Sequence, residues 1–381
     1  MDRVAIVGVA QTKFAAQKID QNYAEIAYEV VESLFNKLGI DHKDVDNIVT
    51  ASSDFWDGRT ISSMSVQDAV GAWLKSETKV SSDGTLAVLY GMMRILAGSF
   101  GTTLVLAHCK SSEGQQTMIG NAVFDPIYQR QLGFDLVAAG ALQARAYMEH
   151  YQVGESDLAA VVAKNLTNAT RNPNAHRAMS ISVEEALKAQ LVADPLREYD
   201  IAPNSDGACA ILLAREDLVS KFTDKPVWLS GVGHYQDNYY LGDRDLTTSR
   251  SLEKAAQKAY SMAGITNPRK ELDLVELYDT FSYQELMWTE LLGLAERGKG
   301  AELIHSGASH LGGEIPVNPS GGVLGAHAMF VAGLVRVAEA ALQLRGEAGE
   351  YQVEGARRAL AHGTVGPCGQ THCVWVLSKD K

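Results

Sequence analysis

The chain is written twice. That repetition constrains the fold more than any single motif, because a doubled strand and helix pattern must bury two equivalent sets of elements. The apolar run Val4 to Val9 ends in Gly8-Val9-Ala10-Gln11, and a second run, Val227 to Val232, ends in Gly231-Val232-Gly233-His234. Behind the first, Ile26, Val30, Val31, Leu34, Phe35 and Leu38 recur at helical spacing; behind the second, Leu252, Ala255, Ala256, Ala259, Tyr260 and Ala263 do the same. Both predicted helices stop at a glycine, Gly39 and Gly264, where a left-handed cap is expected. Short strands follow in VDNIVTASSDFW and LDLVELYDTFSY, so Asp54-Phe55 echoes Asp279 and Phe281. Glycine turns come next, Ser81-Ser82-Asp83-Gly84-Thr85-Leu86 and Pro319-Ser320-Gly321-Gly322-Val323-Leu324, each expected to open an apolar helix. The series closes with Thr103 to His108 against Arg358 to His362.

These correspondences, met in one order, predict an α/β protein of two related halves, 1–222 and 223–381, with mostly parallel or mixed sheets covered on both faces. Residues from about 115 to 222 have no counterpart, and about 115–205 are expected to form an inserted excursion. It is helix-like in LVAAGALQARAYMEHY and VEEALKAQLV, after which Ala208 to Ala214 returns as a strand to the first sheet. With 34 Lys and Arg against 46 Asp and Glu, the net charge of −12 disfavours a nucleic-acid surface. Four scattered cysteines exclude a disulfide scaffold. Cys368 and Cys373, with His372 beside them, lack the second ligand pair of a zinc site. The opening MDRVAIVGVAQTKF is too short in apolar residues for a secretory signal or a spanning helix, so a cytoplasmic protein without membrane contact is expected.

Several residues are suited to chemistry. Helices opened at Gly84 and at Gly321-Gly322 would aim N–H groups and positive dipole ends at one pocket, where a thioester oxygen becoming an enolate would be stabilised. The alternative is that these glycines only allow close packing. His327, in GGVLGAHAMFVAG, reads as a catalytic imidazole near the start of the second helix or as a satisfied core residue. Asp279, ending the strand of ELYDTF, reads as an acid/base or as a turn or helix cap. No P-loop, dinucleotide fingerprint or metal-protease helix is present.

The sequence resembles the thiolase superfamily, particularly its sterol-carrier-protein-type branch, along essentially its whole length. The likeness is carried by RVAIVGVAQTKF, NSDGACAILLA, ELYDTFSYQEL, NPSGGVLGAHAMFVAG and the close HGTVGPCGQTHCVWVL. The resemblance implies a five-layer α/β/α/β/α sandwich of two pseudo-symmetric halves, a loop domain that contributes to the coenzyme A site, and a homodimeric core. It further implies coenzyme A as substrate with no tightly bound cofactor, and a small zinc-ribbon/OB-fold protein as a partner. By position the family histidine is His327, and Asp279 falls where relatives place a polar residue near the thioester. Where relatives read Cys-Ala-Ser-Gly, this chain reads Ser81-Ser82-Asp83-Gly84, and the C-terminal cysteine aligns with Thr364, with Cys368 four residues on.

Three readings follow. A thiolase-like acyltransferase would act on a 3-oxoacyl-CoA with Cys368 replacing the missing sulfur, since a serine such as Ser81 makes a less exchangeable acyl intermediate. A retro-aldolase would cut a 3-hydroxyacyl-CoA with no covalent intermediate, its roles shared among Asp279, Tyr278 and His327 and its oxyanion held at the turns Gly84, Gly321, Gly322 and Gly366. The third is a non-catalytic acyl-CoA-binding or scaffold subunit. Trp56, Tyr90, Tyr278 and Phe281 are candidates to line a bulky-substrate pocket, and Arg130, Arg145, Lys164, Arg171 and Arg177 to meet coenzyme A phosphates.

Overall fold

The computed structural model describes residues 3–381. The first part of the chain forms β1 (Val4–Gln11), α1 (Tyr23–Leu38), β2 (Asn47–Ala51), β3 (Ser76–Val80), α2 (Gly84–Leu96) and β4 (Thr102–Lys110). The excursion supplies α3 (Gln116–Ala122), α4 (Leu136–Tyr151), α5 (Glu155–Ala169), α6 (Val183–Ala186) and the hairpin β5 (Leu191–Ala193) and β6 (Leu196–Arg197). After β7 (Asp206–Arg215) come β8 (Val227–Gln236), α7 (Arg250–Ala263), α8 (Pro268–Glu271), β9 (Leu274–Glu276) and α9 (Ser282–Leu291). The chain ends with α10 (Gly300–His305), α11 (Gly322–Gly325), α12 (Ala332–Arg345), β10 (Arg358–Val365) and β11 (Thr371–Ser378).

The strands lie in the order β3-β2-β4-β7-β1-β8-β11-β10-β9, which reads the same motif outward from the β1–β8 junction. In each half an edge-proximal strand pairs in parallel, β2 with β4 and β9 with β10. The strand from the end of each half then inserts antiparallel, β7 between β4 and β1 and β11 between β10 and β8. Even β3, parallel to β2, has a remnant counterpart in the parallel bridge of Val275 to Val317 beside β9. Among the described residues, two pairs, Ala5 with Trp228 and Ile6 with Val227, join β1 of the first half to β8 of the second.

Alternation along each strand sends side chains to two different layers. Val4 and Ile6 face a middle layer while Ala5 and Val7 meet α1; in the other half Trp375 and Leu377 face the middle while Val374 and Val376 pack toward α7. The helices α2 and α12 fill that middle layer, touching strands of both halves. The result is helix, sheet, helix pair, sheet, helix: five layers, with α1 and α7 outermost. Both outer helices end as their glycines suggested, at Gly39 (φ 66) and Gly264 (φ 68), each in the left-handed region.

Some local expectations fail for identifiable reasons. The turn at Gly321-Gly322 opens only the four-residue α11; the long apolar helix begins ten residues later at Ala332. Of VEEALKAQLV only Val183–Ala186 is helical, because Leu191–Ala193 pairs with the strand after Asp194-Pro195, and short apolar runs do not distinguish the two outcomes. By contrast LVAAGALQARAYMEHY is α4 from end to end, capped by Asp135 through the N–H of Ala138. Among the described residues no helix is long and apolar enough to cross a membrane.

Candidate active site

A cleft enclosing about 720 Å³, its mouth included, is walled by the exit of β9, the segment before α12 and the turn between β10 and β11. Its apolar lining includes Trp56, Leu136, Phe281, Met329 and Phe330, and its polar groups include Tyr278, His327, Thr364 and Cys368. Such a pocket, greasy with a few convergent polar groups, suits a small organic ligand with an apolar body. Trp56 and Phe281 therefore line it as expected. Tyr90 does not: it sits on α2 with Arg94 over its ring.

Tyr278 and His327 meet on the cleft wall, the phenol oxygen 2.8 Å from Nε2 and the rings edge to face. The segment carrying His327 is extended rather than helical, so the residue lies between α11 and α12 and not at a helix start. Ser205 holds it from both sides: the N–H of His327 donates to Ser205 Oγ (3.2 Å), and the N–H of Ser205 donates to the His327 carbonyl (2.9 Å). His176 supports that hydroxyl through Nδ1, at 2.9 Å. Burial lowers the His327 pKa to about 4 and raises that of Tyr278 well above the ordinary phenol value, so both are neutral around pH 7. With the phenol donating, Nε2 is the acceptor and Nδ1 carries the ring proton.

Cys368 lines the same cleft but stays a thiol. Burial pushes it up to about 12 against the smaller opposing effect of Arg244, and Sγ donates to the Ala139 carbonyl at 3.2 Å. Arg244 grips the turn through the carbonyls of Pro367 (2.8 Å) and Cys368 (2.6 Å). That turn holds Gly366 (φ 84), Cys368 (φ 52) and Gly369 (φ 64) in the left-handed region, which turns its backbone toward the cleft. Thr364 is at the wall, its hydroxyl spent on the Thr371 carbonyl at 2.8 Å.

The remaining expected site residues are placed elsewhere. Asp279 is fully buried, three residues beyond β9, and points away from the cleft: Oδ1 accepts from the N–H of Val323 (3.3 Å) in α11 and Oδ2 from Asn165 Nδ2 (3.1 Å). Burial and the neighbouring Glu285 carboxylate raise its pKa well above the usual range. Glu285 pairs with Lys164 at 2.9 Å and accepts from Asn165 and Asn318, so the whole group is a closed internal network. Ser81 is exposed before α2 and does not face the cleft. The N–H of Gly84 is already given to the Phe330 carbonyl at 2.8 Å, so the first helix start is not free to meet a ligand oxygen. Gly321 (φ 95) is required by packing, since a Cβ there would fall 2.6 Å from that of Ala169. Gly322 is likewise packed against Asn318 and lines no part of the cleft.

Of the basic residues in the excursion, Arg145 pairs with Asp194, Arg130 and Arg177 bond backbone carbonyls, and Lys164 is spent on Glu285. Arg171 lines a second, more open hollow beside His310. Among the described residues no group of three or more His, Cys, Asp or Glu is arranged to hold a metal ion. Met329, Phe330, Ser205 and His176 escaped sequence reasoning, the last two because they reach the site through contacts distant in sequence. The one available signal for the first two was their place directly after His327.

Comparison with known proteins bears on the family and the fold. Residues 233–379 match the family described as Thiolase C-terminal domain-like. The chain is 32% identical over 388 aligned positions to an acetyl-CoA acetyltransferase of Methanothermobacter thermautotrophicus, covering all of both chains. It is 34% identical over 231 positions to the benzoylsuccinyl-CoA thiolase subunit BbsB of Thauera aromatica, 60% of each chain. Among solved structures it superposes on the Ltp2-ChsH2(DUF35) aldolase with a TM-score of 0.85 at 23% identity, covering 100% of this chain and 98% of the other. It also superposes on a monomeric SCP2-thiolase like protein type 1 from Mycobacterium smegmatis, with a TM-score of 0.74 at 19% identity, covering 100% and 77%. With its five layers, its doubled sheet and full-length kinship to an acetyltransferase of this kind, the chain belongs to the thiolase superfamily, in the sterol-carrier-protein-type branch.

Proposed function

We propose that this chain breaks a carbon–carbon bond in a 3-hydroxyacyl-CoA by a retro-aldol reaction, with Tyr278 and His327 as its acid/base pair and no covalent acyl intermediate. The observation that carries this reading is the 2.8 Å contact of Tyr278 Oη with His327 Nε2 on the wall of a cleft whose one thiol, Cys368, is held protonated. Thiolase chemistry needs a sulfur that ionises near neutral pH, whereas a retro-aldol cut needs only a proton acceptor and an oxyanion site.

In this reaction the substrate hydroxyl gives its proton to Tyr278 Oη as the phenol proton passes to His327 Nε2. The C2–C3 electron pair moves to C2, leaving a ketone or aldehyde and the enolate of a shorter acyl-CoA. The N–H groups of the Gly366–Gly369 turn are assigned to the enolate oxygen. Reprotonation at C2 through the same pair returns His327 to its neutral form, which burial favours. The apolar lining of Trp56, Leu136, Phe281 and Phe330 supports a bulky carbon skeleton at C3. The names of two relatives, a subunit of a thiolase and an aldolase solved with a DUF35 protein, support a heteromeric assembly, which we propose forms around a homodimeric core. In such an assembly the partner would be the small zinc-ribbon/OB-fold protein.

The test is direct. A 3-hydroxyacyl-CoA with a branched or ring-bearing C3, incubated without free coenzyme A, should yield a carbonyl compound and a shorter acyl-CoA in equal amounts. A 3-oxoacyl-CoA split into two thioesters only when coenzyme A is added, with an acyl group on Cys368 by intact mass, would replace this reading by the acyltransferase. That second reading draws on the presence of Cys368 in the same cleft, beside the charge of Arg244.

A further inference from the structure

We propose that Asp83 is a positioning residue of the cleft: its carboxylate ties the starts of α2 and α12 together and so sets the segment 326–331 that presents His327, Met329 and Phe330. For its activity readouts the inference rests on the retro-aldol reading.

Asp83 is 3% exposed and stands at the N-cap of α2, three residues beyond Val80 at the end of β3. Its Oδ2 accepts from the N–H of Thr85 (2.9 Å) and from Thr85 Oγ1 (2.5 Å). An ordinary cap would stop there. Here Oδ1 reaches the N–H of Gly333 at 3.1 Å, in the first turn of α12 and 250 positions away in sequence. One carboxylate thus sits at two helix N-termini from the two halves, the place where dipoles and unpaired N–H groups favour negative charge. The backbone makes room for it: a Cβ on Gly333 would lie 1.8 Å from Oδ2, and one on Gly363 2.3 Å from it.

The same junction fixes the cleft. The N–H of Gly84, next to Asp83, donates to the Phe330 carbonyl, and Phe330 holds φ 63, a conformation a bulky residue keeps only when its surroundings impose it. Segment 326–331 is therefore anchored at its far end by Gly84 and Gly333 and at its near end by Ser205 on His327. Moving the carboxylate would release Phe330 and shift the aim of His327 against Tyr278.

The groups that face Asp83 are Tyr278, Cys373 and, across a small hollow beside α2, His234. Burial raises the first two and lowers His234, so all three are neutral between pH 7 and 8. Asp83 is itself raised to about 6 by burial, so it loses its charge as pH falls through that value.

Steady-state kinetics of Asp83→Asn across pH test the idea, together with ¹⁵N NMR of the His327 ring assigned with His327→Gln. At pH 7.5 kcat should fall roughly ten- to a hundredfold with KM nearly unchanged, the scale expected for a misplaced catalytic group. The wild-type acid limb near pH 6 should vanish in the variant, leaving the lower one of His327 near 4, and the two proteins should converge below the upper limb. The His327 ring resonances should move in Asp83→Asn. Wild-type kcat per folded molecule in Asp83→Asn, or retention of the upper limb, would overturn the proposal. If that variant does not fold, Thr85→Val removes one donor that favours the charged carboxylate and should move the limb upward; an unmoved limb overturns the proposal equally. Should the wild type cleave no 3-hydroxyacyl-CoA while Asp83→Asn still shifts the His327 resonances, the retro-aldol reading falls and the positioning role stands. Cleavage by the wild type with unshifted resonances in the variant leaves the retro-aldol reading standing and removes the positioning role.

Discussion

The two glycine turns that the duplication made equivalent have come to opposite uses. In the first half, Ser81 to Gly84 turns inward: Asp83 fills the helix start, Gly84 gives its N–H to Phe330, and Ser81 is left at the surface. In the second half, Asn318 to Gly322 also turns inward, with Asn318 Oδ1 accepting from the N–H of Leu277 at 2.6 Å and Ser320 Oγ donating to Glu276 at 2.7 Å. Yet there the chain continues for one short helix and then delivers His327 to the cleft. A helix N-terminus can host a ligand's negative charge or one of the protein's own, but not both at once. Where the chain supplies its own carboxylate, the turn becomes scaffold, and on the proposed retro-aldol reading the reacting groups come from elsewhere.

That contrast is exposed to several measurements. The largest expected effect is on the cleft wall: His327→Gln, or Tyr278→Phe, should lower kcat/KM by roughly 10²- to 10⁴-fold, the range of a lost acid/base group, with the melting temperature little changed. A nearly active His327→Gln would mean that the second turn is scaffold too. Next is Arg336, whose Nη1 lies 2.6 Å from Glu276 behind Ser320, both residues buried. Arg336→Met leaves that carboxylate unpaired and should cost about 3–5 kcal/mol in chemical denaturation. Because burial already raises the Glu276 pKa, protonating it removes the unpaired charge, so the deficit should shrink as pH falls from 8 toward 5.

Asp279→Ala should be milder, about 1–3 kcal/mol for a lost cap and a stranded Asn165, with kcat per folded molecule retained. A specific loss of kcat would return Asp279 to the chemistry. At the small end, Ser81→Ala should change stability by no more than about 0.5 kcal/mol and leave turnover alone. Loss of turnover there would restore the first turn as a nucleophile site.

Much of the architecture was readable along the chain. The apolar runs Val4 to Val9 and Val227 to Val232, helical spacing from Ile26 and from Leu252, and stop signals at Gly39 and Gly264 are local properties, and each appears where expected. The site was less legible. His327 and Tyr278 were named, and the fold brings them into contact; Asp279 was named with them, and the fold turns it inward to cap α11. Nothing in ELYDTF distinguishes the tyrosine that faces the cleft from the aspartate beside it. Adjacent residues leaving a strand diverge in direction, and the outcome rests on Asn165, 114 positions away.

Periodicity and punctuation alone thus specified a doubled α/β chain, since hydrophobic spacing acts over a few residues and reports directly which face is buried. Packing between halves decided which polar groups face the cleft. Gly333 reaching Asp83, Gly84 reaching Phe330 and Ser205 clasping His327 are bonds between positions more than a hundred residues apart. A buried charge or hydroxyl settles where such partners satisfy it, and they come within reach only once the layers have closed.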